Sequence, residues 1–367
     1  MDTITVYFTK ESMMKLKGLL LAGGTGSRLR PLTYTGAKQL IPIANRPILH
    51  YAVEGMVQTG ITDIGVIVGE TGPAIRESLG DGGQFGCQFT YIPQNAPLGL
   101  AHAVKTASAF LADTPFLMFL GDNLLRSGLK TLVDRFISGQ YAASILLTAV
   151  DDPRQFGVAV VEDGRVTRLV EKPQNPPSHW ALVGAYCFQP EIHQAIMDLN
   201  PSWRGEYEIT DAIQVLIDRQ RVVDATFVDG WWKDTGRPED VIEANRLILE
   251  DLTPKMQGIL DESEVVGRVS LGVGTHIEHS IVRGPVVIGD GVQIRNSYIG
   301  PYTSVGNGVL IEETEIENSV VLPDSIIRGV AERIDQSLIG RGVKVQGRVE
   351  RPKAMRLVLG DHSRVDL

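Results

Sequence analysis

The sequence predicts two architectures in series: an α/β domain built on a mixed, mostly parallel sheet with helices on both faces, then a coil of short stacked strands. Three observations predict this. Apolar strands alternate with helical patterns through the first two thirds of the chain. Only two of the 23 aromatic residues, Tyr298 and Tyr302, lie beyond residue 250, where the last 117 residues hold 30 Val or Ile and 15 Gly. In that same tail, apolar residues recur every 17 positions.

The first part reads as a βαβ rhythm. Residues 16–22 form a short apolar strand that runs into glycines, 46–59 a helix, and 64–68 a buried strand. A helix over 99–110 leads to strand 116–120, and a helix around 128–138 leads to strand 143–150. In such sheets, ligands gather at the carboxyl ends of the strands. The last strong helical pattern runs from Pro238 to Glu250, with Pro early and Val241, Ile242, Leu247 and Ile248 as its apolar stripe. Thr253-Pro254 then breaks the chain. The expected division is a 1–15 extension, a domain over 16–252 and a coil domain over 253–367.

The repeat in the tail has three columns. One is Leu271, Ile288, Val305, Leu322 and Ile339; a second is Leu260, Ile277, Ile294 and Ile311, resuming at Val345; a third is Val265, Val282, Ile299 and Ile316. Three apolar columns in one short period imply a coil with three flat sides, each turn stacking its aliphatics on the next. Gly often follows the apolar residue, where tight corners favour positive φ. Arg328 and Arg333 fall where aliphatics are expected, so the fourth turn is irregular. The pattern resembles the left-handed parallel β-helix of hexapeptide-repeat proteins.

Composition excludes several functions. The net charge of −9 argues against a nucleic-acid surface. Cys87 and Cys187 make no CxxC pair and no disulfide framework, which suits two thiols in a reducing cytosol. The seven histidines lack zinc-ligand spacing. No apolar run is long enough to span a membrane.

The strongest motif is Leu20-Leu-Ala-Gly-Gly-Thr-Gly-Ser-Arg-Leu-Arg-Pro31. A glycine loop after a strand can lay backbone N–H groups against phosphates. It is neither GxGxxG, since position 29 is Leu29, nor a Walker A loop. Arg28 follows it, and Lys38 lies within Gly36-Ala-Lys-Gln-Leu-Ile-Pro42; a planar fork and a point charge both suit a polyphosphate. A tight turn with solvated cations is the structural alternative.

Further segments occur in order. They are Gln94-Asn-Ala-Pro-Leu-Gly-Leu-Ala-His102, Leu120-Gly-Asp-Asn123, Asp152-Pro-Arg-Gln-Phe-Gly-Val158, Val170-Glu-Lys-Pro173, Arg204-Gly-Glu-Tyr-Glu-Ile-Thr-Asp211 and Trp231-Trp-Lys-Asp-Thr-Gly236. Together with the glycine loop they span 16–250, and in combination the set resembles the sugar-phosphate nucleotidyltransferases, with a Rossmann-like domain. Within that family it is most similar to the long-form glucose-1-phosphate thymidylyltransferases, which carry a β-helical tail. Ser27 stands where short forms usually have Thr.

The resemblance implies transfer of a thymidylyl group from dTTP to glucose 1-phosphate, with Mg²⁺. It assigns metal ligation to Asp122 and Asp234, two carboxylates in loops far apart in sequence. Gly23, Gly24, Arg28 and Lys38 would hold the nucleotide phosphates, Gln94 and Gly99 the base, and Asp122 also the ribose, with Leu21 in the nucleotide site. Glu171 would take sugar hydroxyls and Lys172 the sugar phosphate, with Asn123, Gly157, Val183 and Trp232 completing that pocket. Arg28, Lys38, Asp122, Lys172 and Asp234 form the expected catalytic set. Tyr186 reads equally as core, and His50, His102 and His193 as packed or solvent-facing residues. UTP or an amino-sugar phosphate as substrate, a scaffold subunit of the same fold, and a second acyltransfer activity around His276 and His279 remain open. A homo-oligomer, trimer or tetramer, is expected, with no nucleic-acid or membrane partner and a cytoplasmic location.

Overall fold

The computed structural model describes residues 15–347. The expected extension, apart from its last residue, and the tail beyond 347 lie outside the described residues. The described chain forms two compact units. The first takes the residues up to Gly23, Ala52–Gly121 and Leu125–Trp232; the second takes Gly24–Tyr51, Asp122–Leu124 and the chain from Lys233 onward. Residues 24–51, 122–124 and 233–252 therefore group with the coil rather than with the sheet.

The first unit is built on a nine-stranded sheet. Its order is Gln88–Pro93, Asp63–Val68, Lys17–Leu21, Phe116–Leu120, Trp180–Phe188, Ala143–Ala149, Val223–Phe227, Arg165–Glu171 and Gly157–Glu162. The first four strands pair in parallel, as does Val223–Phe227 with Ala143–Ala149. The other neighbours run antiparallel. The sheet is mixed, as expected, but antiparallel neighbours are as many as parallel ones, where the βαβ rhythm implied a mostly parallel sheet. One cause is a hairpin. Asp163 and Gly164 both take positive φ, at 49° and 73°, and this two-residue turn matches the right-handed twist of its strands.

Both faces of the central strands are covered. Leu19, Leu21, Phe116, Met118, Ile145 and Leu147 join one core cluster. The alternate residues Leu20, Leu117, Phe119 and Leu146 are buried as well. Burial on both faces explains why these strands read as continuous apolar runs rather than alternating ones. The helical expectations over 46–59, 99–110 and 128–138 correspond to Ile48–Gln58, to Leu100–Thr106 with Ser108–Leu111, and to Leu129–Ser138.

In the second unit the tail forms three parallel sheets, of six, six and four strands, each strand pairing with its counterpart one turn later. Leu271, Ile288 and Val305 stack in register as expected. The next residue in that column is Val321, not Leu322. The second column continues from Ile311 through Ile327 to Val345, and the third from Ile316 to Ile334. One turn is a residue short and the following one a residue long, so the columns realign at Ile339. Ile327 and Ile334 therefore take the interior places assigned to Arg328 and Arg333, whose side chains pair outside with Glu312 and with Glu315 and Glu317.

Glycine serves the coil in two ways. A Cβ at Gly272 would lie 2.5 Å from the backbone of Gly289, and one at Gly306 would lie 2.6 Å from the nitrogen of Pro323. These glycines, which follow the apolar residues, permit close stacking of turns; they do not supply the positive φ. That falls two residues later, at Gly274, Gly291 and Gly308. A buried hydroxyl ladder adds to the stacking. Ser280, Ser297 and Thr314 each donate a backbone N–H to the hydroxyl one turn earlier, at 3.1, 3.0 and 3.2 Å.

Helix Pro238–Glu250 lies in this unit and carries the fully buried Asn245. Its Oδ1 accepts from the Ala44 N–H at 2.8 Å and from the Ser304 hydroxyl at 2.6 Å, and its Nδ2 donates to the Tyr302 carbonyl at 3.0 Å. Asn45 also donates to the Val305 carbonyl at 2.6 Å. The segment that follows Lys38 is thereby tied to the coil. Asn245→Leu leaves the Ala44 N–H and the Tyr302 carbonyl without this partner and should lower unfolding stability by about 2–4 kcal/mol. Arg295→Ala, at an exposed ladder between Glu278 and Glu312, should change it by less than about 1 kcal/mol. Urea titration of both variants checks the contrast.

Candidate active site

Four ionisable residues of the second unit converge. Gly26, with φ 65°, turns the glycine loop into the short helical turn Ser27–Leu29 that carries Arg28. A second turn, Lys38–Leu40, carries Lys38. Gly24 leaves room for it, since a Cβ there would lie 2.8 Å from Lys38 Cε. Lys38 Nζ donates to Asp122 Oδ2 in a partly buried ion pair. Asp122 Oδ1 accepts from Asn123 Nδ2 at 3.1 Å. The Asp122 carbonyl accepts from both the backbone N–H and the hydroxyl of buried Thr235, at 3.2 and 2.7 Å. Thr235 adjoins Asp234. A Cβ on Gly236 would meet Arg28 Nη2 at 2.6 Å and Asp234 Oδ1 at 3.4 Å, so this glycine admits the guanidinium beside the carboxylate.

The electrostatics follow from this geometry. Burial alone would raise the Asp122 carboxyl, but the charge and hydrogen bond of Lys38 prevail and hold it below its usual value. For Lys38, burial pulls down, while Asp122 and then Asp234 raise the ammonium above its ordinary value. Among the described residues Asp234 has no such ion pair, only the more distant charges of Lys38 and Arg28. Burial, with repulsion from Asp122, pushes its carboxyl up to about 6.

In the first unit two further groups assemble. Gly23 lies against Gly69, whose added Cβ would sit 2.9 Å from the Gly23 carbonyl. Gln94 continues from strand Gln88–Pro93, and its Oε1 faces the position a Gly23 Cβ would occupy, 3.5 Å away. Its Nε2 lies 2.9 Å from His102 Nδ1. Gly99 has φ 102°, and a Cβ there would fall 2.4 Å from the Tyr207 carbonyl, so only glycine fits.

The other group surrounds Glu171, which ends strand Arg165–Glu171 opposite Gly157. A Cβ on Gly157 would lie 3.2 Å from Glu171 Oε2. That oxygen accepts from the Thr210 hydroxyl at 3.2 Å, while Oε1 lies 3.7 Å from Lys172 Nζ and 3.5 Å from Arg204 Nη1. Arg204 also bridges Glu206 and Glu208. Burial raises the carboxyls of Glu171, Glu208 and Asp211 above their usual range. Val183 is fully buried beside an irregularity in strand pairing. Trp232 packs edge-on against Phe156, with ring centroids 5.4 Å apart.

A family model for nucleotidyl transferases matches residues 17–251. The chain belongs to the nucleotidyl transferase family. It is 51% identical over 355 residues to a glucose-1-phosphate thymidylyltransferase of Streptomyces antibioticus, covering 96% of this chain and 99% of that protein. It is 50% identical over 358 residues to a low-salt glycan biosynthesis nucleotidyltransferase of Haloferax volcanii, covering 96% of this chain and all of that one. Among solved structures, a UDP-glucose pyrophosphorylase in complex with UDP-glucose aligns with TM-score 0.58 at 27% identity, over 65% of this chain and 99% of that one.

For a nucleotidyl transferase the gathering of Arg28, Lys38, Asp122 and Asp234 makes chemical sense, because anionic reactants need fixed charges of both signs nearby. Leu21 is buried and uses its carbonyl to accept from the Gly121 N–H at 2.9 Å. Tyr186 is core, stacked on Phe188. His193 packs on Phe116. Sequence reasoning passed over Thr235, Arg204 and Tyr207, although each lies inside a motif already noted. Their signal was adjacency to Asp234, to two glutamates, and to Glu206 and Glu208.

The raised Asp234 carboxyl yields a stability prediction. A group lifted from 3.8 to about 6 costs nothing while both folded and unfolded chains hold the proton. The cost grows as pH rises past the unfolded value and is complete above about pH 6. In metal-free buffer, Asp234→Asn should therefore raise stability by about 3 kcal/mol at pH 8 and by well under 1 kcal/mol at pH 4. Urea midpoints at the two pH values provide the measurement.

Proposed function

We propose that this chain transfers a thymidylyl group from dTTP to α-D-glucose 1-phosphate, giving dTDP-glucose and pyrophosphate. The observation that carries this reading is the convergence of Arg28, Lys38, Asp122 and Asp234. It occurs in a chain that matches thymidylyltransferases at about half identity along nearly their whole length. An oxygen of the sugar phosphate attacks the α-phosphorus in line, and pyrophosphate departs. Both reactants are anions, so catalysis rests on positioning and charge neutralisation. Arg28 and Lys38 hold the triphosphate and the departing pyrophosphate, with Gly23 and Gly24 allowing close backbone approach. Lys172 holds the attacking phosphate and Glu171 the sugar hydroxyls, alongside Asn123, Gly157, Val183 and Trp232. Gln94 and Gly99 receive the base.

Asp122 and Asp234 would hold a Mg²⁺ ion. Among the described residues no group of three or more His, Cys, Asp or Glu side chains is arranged for a metal. Two carboxylates fit Mg²⁺, which keeps several waters and takes phosphate oxygens. The raised Asp234 carboxyl marks uncompensated negative charge that a cation relieves. Bound there, the ion supplies charge neutralisation at the phosphates.

We also read the three-sheeted tail as a left-handed β-helix, on its 17-residue period and glycine-stacked corners. UTP is the second reading for the base, favoured by the likeness to a UDP-glucose pyrophosphorylase.

Pyrophosphate release should be fastest with dTTP and glucose 1-phosphate in a screen of five nucleoside triphosphates against glucose and glucosamine 1-phosphates. Faster turnover with UTP shifts the assignment to the second reading. EDTA should abolish release, and excess Mg²⁺ should restore it. Arg28→Ala should lower kcat/KM for dTTP by about 10²-fold or more, the loss of a charge-assisted phosphate contact. An unchanged value removes Arg28 from the phosphate site.

A further inference from the structure

Gln94 is asked to read a pyrimidine, yet a free side-chain amide reads nothing by itself. Its oxygen accepts and its nitrogen donates, and rotation by half a turn exchanges the two at little cost. A glutamine discriminates only if something else sets which end faces the ligand. In the first unit that something is present. Gln94 Nε2 lies 2.9 Å from His102 Nδ1, while Oε1 faces Gly23.

His102 is itself braced. It sits on helix Leu100–Thr106, and its ring stacks on Tyr207 with centroids 6.4 Å apart and planes inclined by 27°. The backbone of Tyr207 is locked to the same loop: its N–H donates to the Leu98 carbonyl at 2.7 Å, and its carbonyl accepts from the Ala101 N–H at 3.0 Å. Gly99, against that carbonyl, allows the approach. Burial, aided by Lys105, lowers the imidazole below its ordinary value; with Gln94 Nε2 as the donor of this pair, Nδ1 accepts and the ring carries its proton on Nε2.

We propose that His102 is a positioning residue that fixes the orientation of the Gln94 amide and thereby selects the imide edge of thymine or uracil over cytosine. This rests on Gln94 receiving the base, as proposed above. With one N–H of Gln94 committed to His102, Oε1 stays available as an acceptor. Thymine and uracil present N3–H, a donor, to such an oxygen. Cytosine presents an N3 lone pair, and its exocyclic group at C4 is a donor where the imides have an acceptor. Cytosine would fit the amide only after a half-turn, which would set Oε1 against His102 Nδ1, two acceptors face to face until the ring also moves its proton from Nε2 to Nδ1. A site that reads by a fixed hydrogen-bond pattern rejects the wrong pattern strongly, because its polar groups are left unpaired.

The test compares direct binding of dTTP and dCTP to the unmodified protein, His102→Leu and His102→Asn, by calorimetry, with turnover measured in parallel. The unmodified protein should favour dTTP by about 10²-fold or more. His102→Leu should cut that ratio at least about tenfold, mainly by weakening dTTP and improving dCTP. His102→Asn, whose Oδ1 can accept near the place of Nδ1, should keep most of it. Unfolding curves establish that both variants are folded. An unchanged ratio in His102→Leu, or equal losses in both variants, overturns the proposal, as does an unmodified protein that binds dCTP as well as dTTP. Preferred dTTP binding without turnover of dTTP and glucose 1-phosphate counts against the proposed reaction and leaves the His102 result standing.

Discussion

The ion pair between Lys38 and Asp122 is the constraint around which the second unit's site is arranged. An ammonium and a carboxylate withdrawn from most of their water are each costly alone and tolerable together. Their meeting requires three separated pieces of chain to converge: the turn at Lys38–Leu40, the residues at 122–124, and the segment at 233–236. Glycine provides the space. Gly24 makes room for the Lys38 stem, and Gly236 for the Arg28 guanidinium. Two cations then stand among two carboxylates, and the less well paired carboxylate, Asp234, carries the electrostatic deficit.

The coil contributes to this arrangement through polar bonds rather than through its apolar interior. Asn245 and Asn45 secure the chain that follows Lys38 to the coil backbone. Inside the coil, stacked aliphatics and the Ser280–Ser297–Thr314 ladder hold each turn to the next. Rigidity along the coil is thereby passed to a segment that would otherwise be a long glycine- and proline-containing connection.

Much of this was legible in the sequence, and the failures have specific causes. The 17-residue columns predicted the three sheets because a stacked coil repeats every contact at one spacing. They missed Val321, Ile327 and Ile334 because a short turn and a long turn cancel, and fixed spacing cannot see compensating errors. The extent of antiparallel pairing in the mixed sheet was missed because strands buried on both faces read alike whether parallel or antiparallel; only the Asp163-Gly164 pair signalled the hairpin. The corner glycines were read as positive-φ residues, yet close approach between turns accounts for Gly272 and Gly306.

The sequence by itself determined the sheet-then-coil order, the glycine loop and the chemical types of the candidate residues: Arg28, Lys38, Gln94, Asp122, Glu171, Lys172 and Asp234. These are properties of local pattern, carried by contiguous residues. Only the tertiary structure decided which charges neutralise one another, that Arg204 sits among Glu171, Glu206 and Glu208, and that Gln94 leans on His102. Partner choice among polar groups depends on distance and burial. Residues 84 positions apart, like Lys38 and Asp122, acquire both only when the chain has folded.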